Sequence, residues 1–432
     1  MRRVVLLGAD FAPSSLPPAL RLRFFANHLP AFGWQPLVLT TQPASYDWQV
    51  QAENEHLVAP QVRVIRTGAL PIGIARRIGF GDIGLRSMLQ HWLVLTKLAL
   101  RREFDLLCIP VPPYMPMLLG RLIHAQFGIP YVIDYIDPWV TDYYWKFPPE
   151  QRPPKWPLAN ALSRLGEPFA LRRVSRITGV SQGTVDGVTV RYPWLQARDG
   201  VAIPYGGEPT DFAYLHNHPR PNVIFQPNDG LIHICSTGRG GPDLFPALRA
   251  IFSAVRIGLE RNPALFTRLR FHFVGTSYAP QPEMQILPLA QAYDLAAYVH
   301  EHPARIGYLD ALQVLLDADL LLAVGSEEAH YTASKIFPYL LAQRPLLAVF
   351  HETSSVLEIL RDIGAGAWVD FGPNRPIAQQ AERVLAALTH CLHTPYHPPQ
   401  LDLFTPYTTR AMTQHLAEVF DQAMYFEARK AL

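Results

Sequence analysis

The chain has 432 residues, 49% hydrophobic and 17% charged, which excludes a disordered tail protein and supplies apolar side chains for two cores. With 38 Lys+Arg against 36 Asp+Glu the net charge is +2, so the basic surplus of a dedicated nucleic-acid binder is missing. Cys108, Cys235 and Cys391 lie far apart without metal spacing, which reads as small buried thiols of a reduced, cytoplasmic protein.

Taken from the amino terminus, Met1-Arg2-Arg3 and a short apolar run stop at Asp10, which fits a first β-strand better than a signal peptide. No later run approaches the roughly 20 apolar residues of a spanning helix. Short β-branched or leucine-rich runs then alternate with helical periodicity, the pattern of parallel strands joined by crossover helices. Strands are predicted at Val4–Gly8, Pro36–Thr40, Val62–Arg66, Leu106–Pro110, Tyr131–Asp134, Ile177–Val180 and Val201–Ile203. Helices are predicted at Pro18–His28, Ser87–Arg102, Met115–Phe127, Leu158–Arg173 and Gly183–Arg191. Pro204–Asp229 is rich in glycine and proline and loses periodicity, so a linker is placed there.

The rhythm restarts at Leu231–Ser236, followed by a glycine turn and a long helix over Asp243–Arg261. Further strands are expected at Arg270–Val274, Leu320–Val324, Leu346–Val349 and Ala367–Val369. Helices are expected at Leu309–Ala318, Ala333–Leu341, Ser355–Ile363 and Ile377–Leu392. The expectation is an α/β protein of two doubly wound Rossmann-like domains facing a cleft: residues 1–204, residues 230–405, and a last helix within 406–432 packing back on the first. In open α/β sheets ligands sit beyond the carboxyl ends of the strands, so the informative residues lie in those loops.

Four such loops stand out. Gly8-Ala9-Asp10-Phe11-Ala12-Pro13-Ser14-Ser15 is not Gly-x-Gly-x-x-Gly, which disfavours a dinucleotide cofactor. It reads either as a plain proline-rich turn or as a substrate loop through Ser14 and Ser15, with Arg21 beyond it either solvated or holding a phosphate. Asp134-Tyr135-Ile136-Asp137-Pro138-Trp139 sets two carboxylates and an indole after a buried strand, a combination that suits a sugar; the alternative is a capped turn with Trp139 in the core. Ser236-Thr237-Gly238-Arg239-Gly240-Gly241 joins a strand to a helix start, where glycines, free amides and a guanidinium favour a diphosphate. Glu327-Glu328-Ala329-His330-Tyr331-Thr332-Ala333-Ser334-Lys335 precedes another helix start, an anion site carrying an ammonium.

The order of Arg21, Phe32-Gly33-Trp34, Asp134 to Trp139, Val180-Ser181, Ile203-Pro204-Tyr205-Gly206-Gly207 and Ser334-Lys335-Ile336-Phe337-Pro338-Tyr339 resembles glycosyltransferase family 4. The resemblance covers nearly the whole chain and implies the GT-B fold, with an amino-terminal acceptor domain and a carboxy-terminal nucleotide-sugar domain. It implies a nucleoside diphosphate sugar as co-substrate, no cofactor, no metal and retention of configuration. The basic pair of the family maps onto Arg239 and Lys335, with Gly238, Gly240, Tyr331, Thr332, Ser334, Glu327 and Glu328 as further donor contacts. Asp137 and Asp134 lie near the reacting centre, while Ser14, Ser15, Arg21 and Trp139 fall on the acceptor side. Two departures are plain: the family's paired glutamates would fall at His330 and Pro338, and Ser14-Ser15-Leu16 replaces the usual paired glycines. The leading reading is a hexosyltransferase-type enzyme of polysaccharide biosynthesis acting on a glycan or lipid-linked acceptor. The rivals are a catalytically inactive GT-B binding protein and a GT-B-type epimerase.

Two further stretches carry expectations. Ile74–Arg102 is basic and amphipathic, so it reads either as a solvated helix or as a surface resting on an anionic membrane at the inner face. His390, His393 and His397 read as surface residues with no metal role.

Overall fold

The apolar runs become parallel strands because their side chains are covered on both faces of a sheet, the situation in which strands lose alternation. The computed structural model describes residues 1–77, 81–146, 148–153, 155–196, 199–277, 279, 281–327, 334–396, 398 and 401–430. It divides into unit 1, Met1–Gly206 with the segment from Thr409 onward, and unit 2, Gly207–Thr408.

Unit 1 holds β1 (Arg2–Leu7), β2 (Trp34–Thr41), β3 (Arg63–Thr67), β4 (Leu106–Val111), β5 (Tyr131–Tyr135), β6 (Arg176–Gly179) and β7 (Gly200–Ala202). Its helices are α1 (Pro17–His28), α2 (Ile72–Arg77), α3 (Ile83–Leu100), α4 (Met117–Phe127), α5 (Trp156–Leu171) and α6 (Gln182–Arg191). The sheet runs β3-β2-β1-β4-β5-β6-β7, all parallel, so the winding reverses between β1 and β4. On one face Leu95, Leu98, Met117, Ile123, Ala170 and Leu171 of α3, α4 and α5 share a core with strand residues such as Leu7, Leu39 and Ile133. A fully buried leucine or phenylalanine in such a layer contributes about 2–3 kcal/mol.

Unit 2 holds β8 (Ile232–Thr237), β9 (Leu269–Val274), β10 (Val299–His302), β11 (Leu320–Val324), β12 (Leu346–His351) and β13 (Ala367–Phe371), in the order β10-β9-β8-β11-β12-β13. Its helices are α7 (Pro209–Asn217), α8 (Phe245–Arg261), α9 (Pro263–Phe266), α10 (Ile286–Gln291), α11 (Tyr308–Asp317), α12 (Ile336–Leu341), α13 (Ser355–Ile363), α14 (Ala381–His393) and α15 (Leu401–Phe404). Local signals explain their ends: Ser354 accepts a bond from the Val356 amide at the start of α13, and Gly364 at φ 62° closes it. Phe252, Phe266, Phe271 and Val349 anchor the core between α8, α14 and the sheet.

The last helix, α16 (Thr409–Lys430), belongs to unit 1 and lies beside α1, where Met412, Leu416 and Phe420 join Phe25, Leu29 and Trp34 on the second face of the sheet. Two expectations need correction. The stretch 204–229 is not a bare linker: Glu208 caps α7, Pro209 supplies its first turn, and the unit boundary falls at Gly206. Strand β10 was not foreseen, because Val299-His300-Glu301-His302 shows the alternation of a sheet edge in place of an apolar run.

Candidate anion and acceptor sites

In unit 2 the winding reverses between β8 and β11, and the loops following these two strands carry the predicted cations. Ser236, Gly238, Arg239, Leu248, Val324 and Lys335 line one recess there. Gly238 sits at φ 103°, open only to glycine at little cost, and a Cβ at Gly240 would meet Ile286 at 2.8 Å. Arg239 donates two bonds of 2.7 Å to Asp243, a fork that holds the Asp243 carboxyl below its ordinary range. Lys335 makes no ion pair with a described carboxylate, and burial, then the nearby Arg239 charge, lowers its pKa to about 8 against the pull of Asp243. Two neighbouring cations, the Arg239 charge depressing Lys335, beside the Asp243 carboxylate make a site suited to an anion.

The loop amides are less available than glycine content suggests. The Thr237 amide donates to the buried Tyr339 hydroxyl at 2.7 Å, and the Gly238 and Gly240 amides donate to Val274 and Thr276 carbonyls. An anion here therefore meets side-chain cations before backbone donors. Pro338 occupies the first turn of α12, where its missing donor costs little. Glu327 is exposed, its amide bonded to the Asp243 carbonyl at 3.2 Å, and Ser334 is exposed. Glu328, Tyr331 and Thr332 lie outside the described residues.

In unit 1 the sequence candidates separate into two groups. Arg21 and Asp134 are both 0% exposed and pair at 2.7 Å. The second Arg21 nitrogen reaches Asp134 at 2.9 Å and the Ile203 carbonyl at 2.8 Å, while Thr178 donates to Asp134 at 2.6 Å. Phe25 and Tyr205 flank the guanidinium. The expectation of a sugar-contacting Asp134 and a phosphate-binding Arg21 is corrected on this geometry, since each charge is spent on the other deep in the unit. Trp139 is likewise a packing residue: its ring stacks on Tyr114 at 5.6 Å, and a Cβ at Gly166 of α5 would strike it at 2.4 Å.

Asp137 differs. It is exposed two residues past β5, carries no ion pair among the described residues, and partial loss of hydration raises its carboxyl pKa. Beyond β1, Ser14 is buried and donates to Asp10 at 2.8 Å, with Trp48 donating to the Ser14 hydroxyl at 3.3 Å; Ser15 is half-buried. Burial raises the Asp10 carboxyl to about 6. Tyr46 and Trp48 stack at 4.7 Å beside it. Close by, Arg66 and Asn54 bind the carbonyls of Ala12 and Pro13, yet Arg66 Nη1 and Asn54 Oδ1 are buried with no hydrogen-bond partner among the described residues. Sequence reasoning passed over Asp10, Tyr46, Trp48, Asn54 and Arg66, although Asp10 stood in the loop it singled out.

A second buried group was missed. His233 and His272 share a 3.0 Å contact between ring nitrogens, His233 also meets Asp229 at 3.2 Å, and His300 stacks on His272. Among the described residues no group of three or more His, Cys, Asp or Glu could hold a metal ion.

Comparison with known proteins bears on the fold. Residues 18–206 match the family model described as a glycosyl transferase 4-like domain. Over the whole length the chain is similar to HepE of Anabaena, solved with UDP-glucose, at a TM-score of 0.60 and 16% identity over 98% of this chain and 100% of that one. It is also similar to a UDP-forming trehalose-phosphate synthase of Burkholderia xenovorans, solved with glucose-6-phosphate: TM-score 0.58, 12% identity, 96% and 99% covered. A glycosyltransferase of Rickettsia africae gives a TM-score of 0.56 at 10% identity, with 98% of both chains covered. No curated protein matches by sequence. Residues 18–206 are thus similar to a glycosyl transferase 4-like domain, and the chain has the GT-B fold.

Proposed function

We propose that the protein transfers a hexosyl group from a nucleoside diphosphate donor, with uridine diphosphate the first candidate, to a hydroxylated glycan or lipid-linked acceptor in polysaccharide biosynthesis. One observation carries this reading: Arg239 and Lys335, from loops after β8 and β11, line one recess at the point where the sheet reverses its winding. As the bond to the anomeric carbon breaks, negative charge grows on the leaving diphosphate. A guanidinium and an ammonium already in place stabilise that charge without reorganisation and without a metal ion. The ammonium of Lys335, held at about 8, regains its proton affinity when the diphosphate arrives. Configuration at the anomeric carbon is retained. On the acceptor side, exposed Asp137 and the unmet polar atoms of Arg66 and Asn54 suit hydroxyl groups. The UDP-containing neighbours support the choice of base.

The test is a thermal-shift panel of UDP, GDP, ADP, dTDP and CDP with and without Mg²⁺. A nucleotide at a hundred times its Kd stabilises the native state by about 2.7 kcal/mol. UDP is expected to raise the midpoint without metal, and Arg239→Ala to abolish the rise. No response to any nucleotide would remove the donor site. A non-catalytic nucleotide binder is the second reading, favoured by Pro338 where the family resemblance calls for glutamate. Nucleotide binding without sugar transfer to any acceptor would select it.

A further inference from the structure

Helix α5 is fixed in rotation by its inner side. Ser163, Glu167, Ala170 and Leu171 are buried, and Glu167 accepts bonds from Tyr135 at 3.2 Å and Tyr192 at 2.7 Å. Gly166 closes on the Trp139 ring. With that register set, Leu158, Leu162, Leu165 and Phe169 fall within one narrow arc of the helix and remain 38 to 74% exposed. Helix α3 repeats the arrangement, with its inner Leu95, Leu98 and Ala99 in the core and Leu89, Leu93 and Leu100 left 54 to 71% exposed. Both helices cover the same face of the sheet, with α4 between them. Seven large apolar side chains on one face exceed the scattered single exposures of an ordinary surface.

Within the three helices the exposed charges are basic, although beyond their ends Glu103 pairs with Arg101 at 3.8 Å and Asp142 with Arg164 of α5 at 2.9 Å. Helices α3 and α4 contain no acidic residue, and the single one in α5, Glu167, is buried. Lys155, Arg172 and Arg173 bracket the α5 stripe, and Lys97 and Arg101 lie at the end of α3. We infer that this face docks on an anionic lipid bilayer, the leucine stripes entering the headgroup boundary and the cations meeting lipid phosphates. A second copy of the chain is the poorer occupant, because a two-fold contact sets the same cations against each other. A spanning mode does not arise, since no described helix is long and apolar enough to cross a membrane. The inference stands apart from sugar transfer, though it would bring the enzyme to a lipid-linked acceptor.

The experiment is sedimentation of the full-length protein with vesicles of phosphatidylcholine alone and of phosphatidylcholine mixed with phosphatidylglycerol. Binding to the mixed vesicles, weakened by salt, is expected. The double substitution Leu165→Ser and Phe169→Ser should lower the partition coefficient about tenfold, because interfacial binding scales with apolar area. Both side chains are exposed, and a UDP thermal shift on the same variant checks that the molecule is intact. The inference is overturned if the protein ignores both vesicles, if the variant binds as well as the parent, or if sedimentation velocity shows a dimer that Leu165→Glu dissolves. Vesicle binding without any response to UDP would instead count against the transferase reading alone.

Discussion

Replacing Asp134 with alanine separates structural from catalytic roles in unit 1. The substitution removes two Arg21 bonds, at 2.7 and 2.9 Å, and the acceptor of the Thr178 hydroxyl, leaving the guanidinium with the Ile203 carbonyl, the Met412 sulfur at 3.5 Å and two aromatic rings. Removing one partner of a fully buried pair costs about 3–5 kcal/mol, chiefly because the remaining charge stays out of water. In a unit of about 230 residues this lowers the melting midpoint by about 10 °C. The double substitution Arg21→Met with Asp134→Leu removes both charges and should recover most of the loss. Calorimetry of the three proteins is the assay. An unchanged midpoint in Asp134→Ala, with transfer abolished, would refute the reasoning and return Asp134 to the reacting centre.

Three other outcomes are expected. The ordinary lysine value is 10.5 and Lys335 stands at about 8, so diphosphate binding takes up a proton between them; affinity for UDP should be flat below about pH 8 and fall about tenfold per unit above it. Calorimetric titration at several pH values checks this, and a slope that survives in Lys335→Met would assign the effect elsewhere. Desolvation, then His233, His300 and His302, push His272 down to about 3, so the unfolded chain binds a proton that the native one refuses; stability is intact above about 6.5 and is lost by about 2 kcal/mol between pH 7 and pH 5. Urea midpoints at the two pH values should show that loss in the parent and much less of it in His272→Phe. Asp137→Asn should lose transfer while keeping its melting midpoint, because the side chain is exposed without an ion pair; unfolding would mark it as structural.

The strand pattern was legible because burial on both faces writes itself as continuous apolar runs, and β1, β4, β5, β8 and β11 fall within a residue or two of their expected places. The glycine turn at 238–241 was legible for a similar local reason, since a left-handed φ and a close approach both demand glycine. Partnership was not. Arg21 and Asp134 are 113 residues apart, and composition cannot distinguish a carboxylate that awaits a sugar from one that neutralises a distant guanidinium. The imidazole group is hidden likewise, since His233, His272 and His300 meet only once β8, β9 and β10 stand side by side. The α5 stripe was readable as a helix, but which arc faces outward depended on where Glu167 found its tyrosines.

Unit 1 is discontinuous: its sheet and α1 come from Met1–Gly206, but the helix that covers Phe25, Leu29 and Trp34 arrives only after unit 2. On a ribosome the usual order, in which the first domain folds first, is therefore disturbed. Unit 2 is complete in sequence as soon as Thr408 has left the exit tunnel, whereas unit 1 must wait with an apolar face uncovered until α16 has followed. A stalled or prematurely ended chain would display that face, and truncation within the last helix would be met first by chaperones and proteases.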